Sequence, residues 1–409
     1  MWKKMELEDI KKRVFGAIDQ NVNFYHDDIL GVPASHLDSK VFYQDEPFLK
    51  NAPFLATMVH NPNHIGCHTL DKSESFFQGT QAIEREVIKL CSEDILKCAE
   101  NECDGYVASG GTEANLQAIW IYRNCFLREH VAKHDEIHLL GSEDCHYSMP
   151  KAANLLNISW SPIGVEGESR VWTRQSAEKA VDEAIAQGKK YFICVANMMT
   201  TMFGSVDEID VLTEVLEDRK VPFFMHVDGA YGGFFYPFAQ PQSRLDFRNT
   251  HVSSITLDAH KMVQAPYGTG IFLIRKGMMK YAMTEEASYV EGQDSTVIGS
   301  RSGANAISIW MILMMYGYYG WQEKINTLHQ RAQWLSQYLD RFGIRHFRNP
   351  FSNIVTIHAD HLSAEFAHRF GLVPDNHHQP EWYKIVVMEH VTLERLDAFV
   401  AALEKEIGS

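Results

Sequence analysis

The sequence predicts an α/β protein with a large domain on a mostly parallel seven-stranded sheet, an N-terminal arm and a smaller C-terminal α+β domain. Three observations predict it. Short apolar runs alternate with amphipathic helical stretches between residues 105 and 275, the pattern of parallel strands joined by crossover helices. The chain has 409 residues and 45% hydrophobic content, too long for one small core and ordinary for a globular protein. After residue 302 the pattern shifts to long helical periodicity broken by two short strand-like runs.

Taken in order, residues 5–20 show helical periodicity through Ile10, Val14, Ala17 and Ile18. A turn-rich stretch with Pro33, Pro47 and Pro53 follows, and together these form the arm, 1–62. The large domain, 63–302, opens with a helix from about residue 78 that carries Ile83, Val87, Leu90 and Cys91 on one face. Its strands are expected at 105–109, 137–140, 158–161, 191–196, 222–227, 252–257 and 270–275, with helices at 113–128, 176–187 and 207–219. The small domain, 303–409, reads as helices over 304–317 and 321–342, strands over 353–358 and 384–388, a helix near 362–370 and a final helix over 392–406.

Composition excludes several classes of function. A net charge of -15, from 53 acidic against 38 basic side chains, argues against nucleic acid or an anionic membrane as partner. The histidines are dispersed, without H-E-x-x-H or cysteine company, so no metal site is expected. Cysteines stand at 67, 91, 98, 103, 125, 145 and 194, an odd set without C-x-x-C, which predicts reduced thiols. The first residues turn acidic and amphipathic at once, and no apolar run reaches the roughly 18 residues of a membrane span. A soluble, cytoplasmic protein is expected.

Three motifs carry chemistry. In Ser109-Gly110-Gly111-Thr112-Glu113-Ala114-Asn115 a strand ends and a helix begins. Gly110 and Gly111 let backbone N–H groups approach an anion, Thr112 adds a hydroxyl, and the helix N-terminus adds its positive end: a phosphate cradle. In His226-Val227-Asp228-Gly229-Ala230-Tyr231-Gly232-Gly233 a carboxylate stands at the carboxyl end of a strand, where open α/β sheets bind ligands. A protonated pyridine nitrogen would give Asp228 its cationic partner and make the ring an electron sink. Asp258-Ala259-His260-Lys261 follows the next strand, which puts Lys261 at the same sheet edge as Asp228 if the two strands are parallel. An amine partly desolvated there is suited to imine formation. Cradle, ring-nitrogen partner and imine lysine together describe one cofactor, pyridoxal 5′-phosphate (PLP). His146 follows the strand at 137–140 and could lie flat on a ring, and Gly299-Ser300-Arg301-Ser302-Gly303 suits a second anion contact.

These motifs, in this order, resemble those of the group II PLP-dependent amino-acid decarboxylases, which have the type I, aspartate-aminotransferase-like fold. Within that family the chain is most similar to the short tyrosine/aspartate and bacterial histidine decarboxylases. The likeness spans about 78–320 and, more weakly, Lys384-Ile385-Val386-Val387-Met388-Glu389-His390. It implies an internal aldimine on Lys261, Asp228 on the pyridine nitrogen, His146 stacked on one ring face and Ala230 on the other. Gly111, Thr112 and His260 would hold the phosphate, and Thr201 would lie near the ring oxygen. Ser300 would reach the phosphate of the other subunit in a homodimer with sites at its interface. The implied reaction is decarboxylation of an L-amino acid to its amine and CO2 through a quinonoid, the substrate being aromatic (tyrosine or a relative), acidic (aspartate or glutamate) or histidine. A PLP lyase acting on a phosphoamine and an inactive PLP-fold scaffold are the alternatives.

The chain departs from the family pattern at Gly229 and Ala259, in the short interval from Tyr289 to Gly299, and at Lys384, where relatives carry arginine. The short interval leaves the proton donor unassigned. Candidates for the substrate side are His60, His64, His68 and Tyr267.

Overall fold

Successive residues of the central strands enter two different cores. Ile193 and Val195 pack into one apolar cluster, while Phe192, Cys194 and Ala196 pack into another on the opposite face. Phe272 and Ile274 divide from Ile271 and Leu273 in the same way. This period of two, apolar on both faces, is why the strands read as short continuous hydrophobic runs. The computed structural model describes residues 1–21, 47–59, 64–66, 75–283 and 294–407.

The strands are β1 (Cys103–Ala108), β2 (Ile137–Ser142), β3 (Ser159–Ile163), β4 (Tyr191–Asn197), β5 (Phe223–Gly229), β6 (Val252–Asp258) and β7 (Gly270–Arg275). They form the expected seven-stranded sheet in the order β1-β7-β6-β5-β4-β2-β3. Only β7 runs against its neighbours. One face is covered by α1 (Gly111–Glu129) and α2 (Ser148–Leu156) through Ile119, Tyr122, Phe126 and Met149. The other meets the helices Gln78–Lys89, Arg174–Ala186 and Ile209–Asp218 through Val87, Val181 and Leu212.

The N-terminal helix Leu7–Asp19 buries Ile10, Val14, Ala17 and Ile18, the stripe its periodicity predicts. The helix Gly303–Arg341 breaks at Gly317, whose φ of 62° is left-handed. The break is filled by the chain start. Met5 N donates to Met314 O at 3.0 Å and the Trp2 indole to Leu313 O at 3.0 Å, so carbonyls freed by the break are not left bare. The half before residue 330 packs in the large core, and Leu335 and Leu339 pack in the small one.

The small core lies under a four-stranded antiparallel sheet in the order His346–Phe347, Ile354–His358, Trp382–Val386, Val373–Pro374, with helix Leu393–Ile407 against it. The two-residue strands are too short to leave a periodic signal.

The expectation of reduced thiols needs correction. Cys98 and Cys103 form a disulfide, with their Cα atoms 6.4 Å apart. Lys97 and Asn101 both take left-handed backbone (φ 58° and 59°), which folds the intervening residues into a tight turn. The spacing is C-x4-C, so a search for C-x-x-C misses it. Cys91, Cys125 and Cys194 are free and buried, Cys145 is free and half-buried, and Cys67 lies outside the described residues. Among the described residues no helix is long and apolar enough to cross a membrane, and no group of three or more His, Cys, Asp or Glu could hold a metal ion.

Candidate active site

Three parallel strands end side by side at the site. Pairing sets Asn197 of β4 opposite Asp228 of β5, and Asp228 opposite Thr256 of β6. Two residues beyond Thr256 is Asp258, and the chain then winds into the single π-helical turn Ala259–Val263 that carries His260 and Lys261. Gly270, the first residue of antiparallel β7, lies opposite both Asp258 and Ala108. That register seats the Ser109–Thr112 turn beside the lysine.

The turn requires glycine for closeness. A Cβ on Gly111 would lie 2.8 Å from Asp258 Oδ2 and 3.1 Å from the Ala230 Cβ. Glu113 fixes the turn, accepting from Ser109 N at 2.7 Å and from the Tyr106 hydroxyl at 2.8 Å.

A cavity of about 290 Å3 opens here. It is lined by Gly110, Gly111, Thr112, His146, Thr201, Asp228, Ala230, His260 and Lys261, all of them residues the sequence singles out. Ser300 is exposed and does not line this cavity. Tyr267 lines it with 89% of its surface exposed, its ring stacked on His260 at 4.4 Å. His60, His68 and Tyr289 lie outside the described residues; His64 opens the short strand His64–Gly66, and its side chain also lies outside them.

Lys261 Nζ is 3.2 Å from Asp258 Oδ2, and His260 Nε2 is 3.5 Å from the same oxygen. Burial pushes the Asp258 carboxyl up to about 6 despite the Lys261 ammonium. Burial and Lys261 together hold the His260 imidazole below its ordinary value. Burial likewise lowers His146, with Lys261 adding to the effect and Asp228 opposing it. Lys384 reaches in from the strand Trp382–Val386 of the four-stranded sheet. Its Nζ donates to Thr201 O at 2.8 Å, and burial, aided by Lys261, lowers its affinity for a proton.

The cavity also takes in Asn115, Tyr147, Asn197, Met199 and Tyr231, to which the sequence reading assigns no role. Asn115 had a signal: it lies one helical turn after Gly111 and so faces the same side. Asn197 had none, because its place follows from strand register alone.

The family model described as the pyridoxal-dependent decarboxylase conserved domain matches residues 55–347. This chain belongs to that family. It is a PLP-dependent amino-acid decarboxylase, a carboxy-lyase of group II. It is 46% identical over 405 residues to the tryptophan decarboxylase of Clostridium sporogenes, covering 99% of this chain and 97% of that one. It is 30% identical over 370 residues to a probable L-aspartate decarboxylase of Archaeoglobus fulgidus, covering 88% and 96%. The structure of Catharanthus roseus tryptophan decarboxylase superposes with a TM-score of 0.72 at 16% identity, covering 99% of this chain and 88% of that one, a likeness of fold.

The residues of this decarboxylase fit its cofactor. His260 Nδ1 is buried without a hydrogen-bond partner, and the His260 ring lies 3.8 Å from where a Cβ on Gly110 would stand. A phosphate oxygen in the glycine turn would satisfy that nitrogen. The buried Asp228 carboxylate accepts from Ala230 N at 3.1 Å and from Asn115 Nδ2 at 2.9 Å, and retains acceptor capacity for a cationic ring nitrogen.

Proposed function

We propose that this decarboxylase acts on an aromatic L-amino acid, tryptophan foremost, releasing CO2 and the arylalkylamine. The observation that carries this reading is the 46% identity, over nearly the whole of both chains, to a tryptophan decarboxylase. The cavity supports it. Among the described residues that line it, Lys261 is the only lysine or arginine, whereas Tyr147, Met199, Tyr231 and Tyr267 offer aromatic and apolar surface. An acidic side chain would meet Lys384 only at the cavity's side, where its ammonium is already bonded to the Thr201 carbonyl, a poor exchange for its hydration. Aspartate is the second reading, favoured by the relatives near 30% identity.

When bound, PLP supplies the sink for the electron pair left on the α-carbon as CO2 departs. In this reading Lys261 would hold the cofactor covalently and would supply the amine that frees the product. Gly110, Gly111, Thr112 and His260 would bind the phosphate, and Asp228 would hold a proton at the ring nitrogen. His146, whose affinity for a proton burial lowers, would lie against one ring face with Ala230 behind the other, and Thr201 would contact the ring oxygen. Lys384 ties the small domain to the Thr201 carbonyl, closing that side of the cavity.

The proposal includes a cytoplasmic homodimer, with Ser300 completing the partner's phosphate site. Ser300 is exposed and stands beside Val297 and Ile298, which leave 38% and 47% of their surfaces open. It also keeps the division into an arm (1–62), a large domain (63–302) and a small domain (303–409).

The test is product analysis of the purified, PLP-supplemented protein with L-tryptophan. Tryptamine and CO2 should appear in equal amounts and vanish in Lys261→Ala. CO2 from aspartate without amine from tryptophan would establish the second reading instead.

A further inference from the structure

Two buried side chains next to Asp228 have no part in the chemistry described above. Asn115 and His226 are 1% and 0% exposed, and their polar atoms are all engaged. Asn115 Nδ2 donates to Asp228 Oδ2 at 2.9 Å and to Ser148 Oγ at 3.1 Å, while its Oδ1 lies 2.9 Å from His226 Nε2. A carboxylate and an amide oxygen can only accept, so the amide nitrogen must face Asp228 and the imidazole proton must sit on Nε2. His226 Nδ1 is then an acceptor, and Ser254 Oγ donates to it at 2.6 Å. Ser254 Oγ in turn accepts from the Tyr122 hydroxyl.

Every bond in this series therefore runs one way, from Tyr122 through Ser254, His226 and Asn115 to Asp228. Thr256 Oγ1, 3.2 Å from His226 Nε2, serves as a second acceptor for the same proton. Burial, against the pull of Asp228, presses the His226 imidazole down to about 4, which keeps the ring neutral and single-tautomer near neutral pH. Turning the Asn115 amide over would set oxygen against the Asp228 carboxylate and nitrogen against the His226 N–H, two unmade bonds in a dry site. The amide's second proton ends on Ser148, which also bonds His146 Nδ1 at 2.9 Å. One side chain thus connects the residue under the ring nitrogen to the residue on the ring face.

We propose that His226 and Asn115 are positioning residues, with the Nε2–H of His226 locking the Asn115 amide in the one orientation that aims the Asp228 carboxylate at the cofactor's ring nitrogen. This rests on the assignment of Asp228 to that nitrogen.

The test measures the PLP dissociation constant of each apoenzyme by quenching of its own fluorescence. It also records the band near ~420 nm after reconstitution, with thermal unfolding as a control. Asn115→Asp keeps the volume and removes the donor; His226→Leu removes the lock; His226→Gln offers an amide N–H in place of Nε2–H. Asn115→Asp and His226→Leu should weaken PLP about tenfold or more, the scale of one lost hydrogen bond to a charged group, and lower kcat more than they raise KM. His226→Gln should recover most of the affinity. Asp228→Asn is run alongside. If Asp228→Asn is impaired while Asn115→Asp and His226→Leu bind PLP like the wild type, the relay is wrong and the assignment of Asp228 stands. If Asp228→Asn itself matches the wild type in affinity and spectrum, that assignment fails and the relay falls with it.

Discussion

At the scale of single residues, the site is defined by what cannot be larger, what must be charged and what must be neutral. Gly111→Ala puts a Cβ 2.8 Å from Asp258 Oδ2, an oxygen on a buried side chain that also faces Lys261 and His260. The variant should fold, with PLP affinity reduced on the order of tenfold through displacement of the phosphate turn; wild-type affinity by equilibrium titration would show the turn to be slack. Asp207 is a buried acid of a different kind. It accepts from Asn197 N at 2.7 Å and from Asn197 Nδ2 at 2.6 Å, its other oxygen is unpartnered, and burial pushes it from 3.8 up to about 7. The folded state therefore keeps a proton that the unfolded chain releases between these values, so Asp207 makes stability fall as pH rises through that window and level off above it. Asp207→Asn removes the titration. Its unfolding midpoint relative to the wild type should rise, by an amount on the order of 2 °C, from pH ~4 to pH ~8; a difference constant with pH would contradict the account. Lys261, Asp228 and the glycine turn were legible in sequence because their chemistry dictates their residue types. Asn115 carried only the signal of its place one helical turn after Gly111, and Asn197 carried none, because its neighbours are set by strand register.

At the scale of elements, the seven strands were legible because burial on both faces makes each a short apolar run bounded by polar turns. Their edges moved by one or two residues, and the extensions matter: β5 continues through Gly229 and β6 through Asp258, so the carboxylates of Asp228 and Asp258 belong to strand ends rather than loops. Rigid strand ends hold a charge more exactly placed than loops do. The break at Gly317 fell where the periodicity divided two helices, but its filling by Trp2–Met5 joins residues more than 300 positions apart and leaves no local pattern. Gly317→Ala would set a Cβ 2.5 Å from Lys4 N at a φ of 62°. It should cost about 1–3 kcal/mol in urea unfolding and free the chain start to faster proteolysis; unchanged stability would mean that the N-terminal segment does not dock there. The Cys98–Cys103 turn belongs with this class, since left-handed backbone at Lys97 and Asn101 is not written in residue type.

At the scale of the whole molecule, the proposed dimer and the substrate make separate predictions. If Ser300 serves the partner's site, Ser300→Glu damages the neighbouring subunit and Lys261→Ala damages its own. A hybrid of the two then keeps one intact site, with Lys261 from the Ser300→Glu subunit and Ser300 from the other. Mixing two nearly inactive homodimers under exchanging conditions should restore roughly a quarter of wild-type turnover, half the dimers carrying one working site each; no recovery would place Ser300 in its own subunit's site, and a Ser300→Glu homodimer that stays active would place it outside any. The amino acid chosen for decarboxylation is the central claim, and internal competition tests it most directly. With equal concentrations of L-tryptophan and L-aspartate, the ratio of amines formed reads the ratio of kcat/KM in one vessel. Tryptamine should exceed β-alanine by ~100-fold or more; β-alanine in excess would overturn the assignment to an aromatic substrate.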